Sequence, residues 1–570
     1  MSQITGGELL LKCLKAEGMS MIFGVLDGSF NTWLAKLGDY DMEYVCPRHE
    51  AASAHMAEAW SRMRGEPGVV MGGIGPGAAN MVSGVAVAFA EGTPLIAITG
   101  QRRRNIIYPD RGGAFQVLDL MALYRPVTKW QGSIRDLRRM PELVRRAFRE
   151  ALSGRPGPVY LEIPEDVIRD TIDEERVDIW QPEQYRVAGI GVGNPDKIEQ
   201  AAELLAQAER PLLHAGNGVN WADAWAEFMA LGEYLGAAFT TSLAARGGVP
   251  EDHPRYFAPL NREALEMVRA EADVNLVVGG RLGELDGWGK EPVWGDASEQ
   301  TTIQIDVDPS AIGLNRPVDL AIVGDAKAVL SALLDAVKAK TAAKAPHEGF
   351  ERYAELTAEW RAELEQAMDY GSGQINSGRM IRTVREFFPR DAIMAQDGGN
   401  TSLWCANYNP ILAPHSYLYT TKFGHLGTGL PYAIGAKLAN PEREVYLISG
   451  DGAMGFNIQE METARRHNVA ITVIVACDQG WGMERSSQIL GQVGAFVETE
   501  IYADTRYDQV AEAFGWRGEL VTELDQLLPA LERARDSGQP SLIQVMVDHT
   551  ANLAPPGALA FGSMVYRAED

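Results

Sequence analysis

Short, continuously apolar runs recur along the chain and limit its fold more than any other feature. Examples are "MSMIFGV", "GVVMGGIGPG", "PLIAITG", "PVYLEIP", "VNLVVGG", "TIQIDVD", "EVYLISG" and "AITVIVAC". Strands that are apolar on both faces must be covered on both faces, and helical patterns stand between these runs. That combination specifies an α/β protein built from parallel sheets sandwiched by helices. With 570 residues the chain has room for two to four such units. Composition breaks twice, in an acidic, turn-rich stretch at residues 171–194 and in "KAKTAAKAPHEGFE" at 338–351, a linker rich in Ala, Lys and Pro. We expect three parallel-sheet domains at residues 1–180, 190–340 and 360–550, and a tail at 551–570.

Several function classes drop out. No run of about 18 apolar residues offers a membrane span. A net charge of −25 opposes binding to nucleic acid, whose phosphates need a basic face. It also requires that any polyanionic ligand be held by local donors against the overall field. The start, "MSQITGGELLLKCLK", lacks the pattern of a signal peptide. Cys13, Cys46, Cys405 and Cys477 lie far apart without metal-ligand spacing, so a reduced, cytoplasmic setting is expected.

Residues 446–482 read "YLISGDGAMGFNIQEMETARRHNVAITVIVACDQGWG": two apolar strands, each followed by an aspartate, Asp451 and Asp478, with a helical stretch between. In a βαβ unit such strands can be neighbours about 4.8 Å apart, and their carboxyl ends form the ligand crevice. Two buried carboxylates there would repel unless a cation sat between them. Hard oxygen ligands suit Mg²⁺, which commonly bridges carboxylates to phosphates, and the glycines at 450 and 452 let backbone N–H groups approach those phosphates. An isolated Gly-Asp-Gly is more often a plain turn; the spacing alters that reading.

The stretch resembles the signature of thiamine diphosphate enzymes, Gly-Asp-Gly followed by an asparagine, with Asp478 at the asparagine's place 27 residues after Asp451. The resemblance implies that Asp451, Asp478 and the carbonyl of Gly480 hold the metal. It also implies that Gly450, Gly452, Ala453, Met454, Trp481, Gly482 and Met483 lie against the cofactor. Asp for Asn keeps an oxygen ligand and adds a negative charge. Some 400 residues earlier, "YVCPRHEAASAHMAEAWSRMRGEPGVVMGGIGPGAANMVSGVAVAFAEGTPLIAITGQ" is similar to the pyrimidine-domain segment of the acetolactate synthase-like group. There Glu50 matches the glutamate that activates the aminopyrimidine, while Gly75 and Asn80 belong to a loop on which backbone approaches the ligand. "FGHLGTGLPYAIGAKLANP" resembles the pyrimidine turn, with Gly424 in it and Leu426 as the large apolar residue between the two cofactor rings. "DGGNTSLW" resembles a diphosphate-binding turn with Asn400 and Thr401 as donors. A homodimer or homotetramer, with active sites between subunits, follows from the same resemblance.

The substrate is read from departures. Acetolactate synthases carry Met-Val-Arg-x-Trp where this chain has Met483, Glu484, Arg485 and then Ser487 in place of the Trp. Glu484 could move a proton if burial raised its pKa. "GGNTS" and the helix after Gly-Asp-Gly resemble oxalyl-CoA decarboxylases and 2-hydroxyacyl-CoA lyases. Gln116, in "AFQV", lies by the reacting centre in both groups, and Arg102, Arg103, Arg104 and Arg111 could hold CoA phosphates. The leading expectation is a lyase cleaving a 2-hydroxyacyl-CoA to an aldehyde or ketone and formyl-CoA. The alternatives are an acetolactate synthase-like 2-keto acid decarboxylase and carboligase, and a non-catalytic binding or regulatory homologue.

Strand ends in the middle domain resemble a nucleotide site. ADP, rather than FAD, is expected there against Arg155, Arg281, Asp306 and Asp325. The tail carries Leu553, Leu559, Phe561, Met564, Val565 and Tyr566 around a Pro-Pro-Gly bend. Burying each would gain roughly 1.5–3 kcal/mol, so we expect it to dock as an active-site lid, with Arg567 near a substrate phosphate.

Overall fold

The computed structural model describes residues 3–187 and 191–558. Its strands in chain order are β1 (Gln3–Thr5), β2 (Met21–Gly24), β3 (Glu43–Val45), β4 (Gly68–Gly72), β5 (Leu95–Gln101), β6 (Gln131–Ser133), β7 (Val159–Pro164) and β8 (Thr171–Asp173). Then come β9 (Pro211–Ala215), β10 (Ala238–Thr241), β11 (Val274–Val278), β12 (Thr301–Asp306) and β13 (Leu320–Val323). The last six are β14 (Ile393–Asp397), β15 (Tyr417–Leu418), β16 (Val445–Gly450), β17 (Thr472–Cys477), β18 (Arg517–Val521) and β19 (Ser541–Met546).

Three sheets form, in the orders β3-β2-β4-β5-β7-β6, β10-β9-β11-β12-β13 and β15-β14-β16-β17-β19-β18, and every pairing within them is parallel. β1 and β8 pair antiparallel at the margin of the first domain. The three α/β domains expected from the apolar runs are thus present, and buried central strands such as β5 and β17 explain why those runs lack polar alternation. In each sheet the strand order reverses between its first and third strands, the place where open α/β sheets present a ligand crevice. At the middle one the chains nearly touch: a Cβ on Gly216 would lie 2.2 Å from the Gly279 oxygen.

The core is not divided as the sheets are. One cluster of buried residues runs from Phe23, Met56 and Tyr160 of the first domain to Tyr432, Leu447 and Trp516 of the third. Each domain also keeps a cluster of its own, from Ile4 to Ile172, from Ile198 to Val337 and from Leu364 to Ala551. The helix Glu50–Arg64 lies against the helix Gly429–Ala439 so closely that a Cβ on Gly435 would stand 2.4 Å from the Met56 oxygen. The linker ends in the helix Phe350–Ala367, whose start packs Tyr353 and Leu356 on the middle domain while Leu364 joins the third. Among the described residues no helix is long and apolar enough to cross a membrane.

Candidate active site

β16 and β17 pair with Gly450 opposite Ala476, so Asp451 and Asp478 leave the sheet at the same edge, one residue out of step. Both are buried. Asp451 accepts the Gly452 N–H at Oδ1 and the Gln479 N–H at Oδ2, each at 2.8 Å. Burial raises the pKa of both carboxyls. At Asp451 the facing Asp478 adds to the rise; at Asp478 the Asn552 amide and the Arg485 guanidinium work against it. Among the described residues no group of three or more His, Cys, Asp or Glu side chains could hold a metal. The donor set here is two carboxylates and a main-chain oxygen. The Gly480 carbonyl accepts the Gly482 N–H at 3.1 Å and keeps a second lone pair. Two buried acids facing each other suit a hard divalent cation.

The cradle beside them comes from the β14 turn. Gly398, at φ 105°, leads into the helix Asn400–Tyr408, and Thr401 Oγ1 would lie 2.9 Å from a Cβ on Gly450. Asn400 donates to Ser486 Oγ at 3.0 Å and to the Asn552 carbonyl at 2.7 Å, while its buried Oδ1 has no partner. A Cβ on Gly482 would fall 2.9 Å from Asp478 Oδ2 and 3.2 Å from Asn400 Nδ2, so only glycine lets these groups converge. An acid pair, a helix start, close-approach glycines and an incompletely used amide fit a metal-bound diphosphate. Ala453 and Met454 follow Asp451 in a short helix, and Trp481 stacks over Gly452. Met483 meets Gly399, where a Cβ would lie 2.5 Å away.

Sequence reasoning passed over Asp397. Its Oδ1 accepts the N–H groups of Gly398 (2.8 Å) and Gly427 (3.2 Å), and its Oδ2 that of Gly429 (2.8 Å). It thereby ties the β14 turn to the loop holding Gly424 and Leu426, and burial pushes its pKa up to about 6. An aspartate ending an apolar strand before two glycines was the available signal. Asn552 and Ser486 were missed as well, and Arg485 was named only within the substrate-facing stretch; they come together only in the fold.

The first domain supplies a second group. Gly75, at φ 59°, caps the helix Pro76–Glu91, so "GPGAAN" is a helix start rather than a free loop. Asn80 Nδ2 donates to Glu50 Oε2 at 3.1 Å, a Cβ on Gly77 would lie 3.2 Å from Glu50 Oε1, and one on Gly75 would strike the Gln116 oxygen at 2.7 Å. Glu50, Gly75, Asn80 and Gln116 therefore gather at one place. Among the described residues no hydrogen bond joins this group to the Asp451 group.

Three expectations need correction. The arginines proposed for CoA are largely spent on the chain's own acids: Arg102 and Arg103 reach Glu165 at 3.5 and 3.6 Å, and Arg104 reaches Asp166 at 2.8 Å. Glu484 is exposed on the helix Gly482–Leu490, so this chain does not supply the burial that its proton role required. Asp325 caps the helix Ala326–Lys340 through the Ala328 N–H at 2.9 Å, which accounts for it structurally.

The middle crevice does gather cations. Arg155 and Arg281 stand near Lys422 of the third domain, whose pKa is lowered by partial desolvation and then by Arg281 and Arg155. Burial, then Arg281, also lower Arg155, and burial raises Asp306 beside them. The described tail stops at Ala558. Its root touches the site, since Ser486 Oγ donates to the Leu553 carbonyl at 2.9 Å. The remaining tail residues named above lie outside the described residues.

The chain matches three family models: the N-terminal thiamine pyrophosphate binding domain over residues 4–123, the central domain over 198–333 and the C-terminal binding domain over 397–545. It is 33% identical to a probable acetolactate synthase large subunit of Methanocaldococcus jannaschii, across 97% of this chain and 94% of that one. It is 30% identical to the acetolactate synthase isozyme 2 large subunit of Escherichia coli K12, across 97% and 98%. To the isozyme 1 large subunit of that organism it is 31% identical, across 98% and 97%. With the acid pair, its cradle and the glutamate group in place, the chain belongs to the thiamine pyrophosphate enzymes of acetolactate synthase-like type and is an enzyme that makes or breaks carbon–carbon bonds with that cofactor.

Proposed function

We propose that the protein is a 2-keto acid decarboxylase and carboligase, the alternative that the sequence ranked second. The observation that carries this choice over an acyl-CoA lyase is the pairing of Arg102, Arg103 and Arg104 with Glu165 and Asp166, which leaves exposed Arg111 as the one arginine of that cluster without an acid partner among the described residues. The names of the relatives point the same way.

In this reading Asp451, Asp478 and the Gly480 carbonyl hold Mg²⁺. Gly450, Gly452, Asn400 and Thr401 receive the diphosphate, and Leu426 and Met483 pack on the rings. When bound, thiamine diphosphate supplies an electron sink for the carbon left after a carboxylate departs. Glu50, held by Asn80, keeps a proton at the pyrimidine and so governs cofactor activation; Gln116 is placed to orient substrate.

Because the Glu50 and Asp451 groups sit on different sheets, the active site is proposed to form between two copies of the chain. Exposed Phe115 and Leu118 beside Gln116, and Phe423 and Phe456 beside the third-domain cradle, would then be covered. Arg155, Arg281 and Lys422 are proposed to hold the diphosphate of ADP or FAD, which a flavin absorption band would tell apart. Both E. coli relatives are named large subunits, and a second, smaller chain as a partner here is part of the same proposal.

The test is incubation with thiamine diphosphate, Mg²⁺ and pyruvate, alone or with a second 2-keto acid. Release of CO₂ with a 2-hydroxy-2-alkyl-3-keto acid as product is expected. Formyl-CoA from a 2-hydroxyacyl-CoA, with no CO₂ from pyruvate, would reverse the choice in favour of the lyase.

A further inference from the structure

We propose that Arg485 is a positioning residue of the metal site, serving both as the internal counter-charge of the Asp451–Asp478 pair and as the clamp on the turn that presents the Gly480 carbonyl. The inference rests on the reading of that pair as a metal site. Arg485 is 2% exposed, in the first turn of the helix Gly482–Leu490, and its backbone N–H donates to the Trp481 carbonyl at 2.9 Å.

Its guanidinium spans the turn. Nη1 donates to the Asp478 carbonyl at 3.1 Å and stands 3.9 Å from the Asp478 carboxylate. Nη2 donates to the Gln479 carbonyl at 2.8 Å and to Glu500 Oε2 at 2.7 Å. The plane lies so close over the third residue that a Cβ on Gly480 would be 2.1 Å from Nη2. Gln479 takes φ 61°, an unfavourable value for a side-chain-bearing residue, and these bonds hold it there. A second strand of contacts seals the outside: the Trp481 N–H donates to the Thr499 carbonyl at 2.8 Å and the Ile501 N–H to the Gln479 carbonyl at 3.0 Å.

The charge count gives this geometry its purpose. Asp478 sets a second carboxylate facing Asp451, where an amide would add no charge. Arg485 is the cation whose guanidinium reaches that carboxylate from the protein side. Only a planar fork can bond two successive carbonyls and the Glu500 carboxylate while standing beside that of Asp478, which a lysine ammonium cannot copy.

A double-mutant cycle tests this on the full-length protein, with thermal unfolding measured after EDTA treatment and again in Mn²⁺, and with Mn²⁺ affinity by calorimetry. Arg485→Met should lower the midpoint of the metal-free protein by several degrees, and Asp478→Asn or saturating Mn²⁺ should recover at least half of that loss. Arg485→Lys should keep most of the metal-free stability yet weaken Mn²⁺ binding about tenfold. An equal loss for Arg485→Met in the wild-type and Asp478→Asn backgrounds, or Arg485→Lys no more stable than Arg485→Met, would overturn the proposal. Wild-type protein that takes up no Mn²⁺ would instead refute the metal reading, while the cycle on metal-free protein would still judge the counter-charge.

Discussion

Counted from its own first strand, the sheet of β2 to β7 and the sheet of β14 to β19 both read 2-1-3-4-6-5, yet their crests carry opposite chemistry. In the third domain the third and fourth strands run into Asp451 and Asp478. In the first domain the corresponding strands, β4 and β5, end at Gly72 and Gln101, and the next residue, Gly73, is pressed against Asp27, whose Oδ2 would lie 2.5 Å from a Cβ there. One crest is built to take a cation. The other has no facing pair of acids at those two strands and contributes Glu50 from the start of a helix. Topology fixes where a ligand can lie, and the two or three residues beyond each strand fix what it can be.

The comparison breaks most sharply if the third crest is made like the first. Asp451→Gly should abolish Mn²⁺ binding by calorimetry, a larger loss than the about 10–100-fold that removing an outer partner costs, and turnover should vanish with it. Retained Mn²⁺ affinity would mean that the acid pair is not the metal site. Next in size, Glu50→Gln should cut turnover about 10²–10⁴-fold while leaving Mn²⁺ binding at the wild-type value. A parallel loss of metal would show that the two crests are not separable.

A smaller effect concerns the seam between the two domains. Glu58 is fully buried, accepts Tyr432 OH at 2.8 Å and Thr93 Oγ1 at 3.2 Å, and burial raises its pKa to about 7. Its native pKa lies above the unfolded one, so its contribution is complete below about pH 4.5 and is lost as pH rises through about 7. Wild-type protein should give up on the order of 2–3 kcal/mol across that window. Glu58→Gln should flatten that part of the pH dependence in urea unfolding at pH 5 and pH 8; an unchanged slope would contradict the assignment. Smallest of all, Gly77→Ala sets a methyl 3.2 Å from Glu50 Oε1 and should cost about 1 kcal/mol of activation, about fivefold in turnover, with metal binding untouched.

The three sheets were legible because β4, β5, β16 and β17 are apolar on both faces and helix-separated, a local pattern. Asp451 and Asp478 were legible for the same reason: each directly follows a readable strand. Asn552 and the contacts of Arg485 were not, since their value lies in reaching Asn400 and Asp478 across turns that no spacing rule describes. The arginine run misled because its partners, Glu165 and Asp166, sit beyond β7, some 60 residues away in sequence. Glu484 misled because adjacency to a site residue says nothing about which side of a helix faces water.

The buried cluster shared by the first and third domains sets a schedule for the chain's synthesis. Glu58 waits for Tyr432 across 374 residues, which at ribosomal speed is roughly 20–75 s. During that interval the middle domain can close its own core, while the face of helix Glu50–Arg64 that will meet helix Gly429–Ala439 stays uncovered. The first domain can close its other cluster, from Ile4 to Ile172, at once, yet for a half-minute or so this one face stays unfinished. Conditions that slow elongation past the middle domain should lengthen its exposure to chaperones and aggregation.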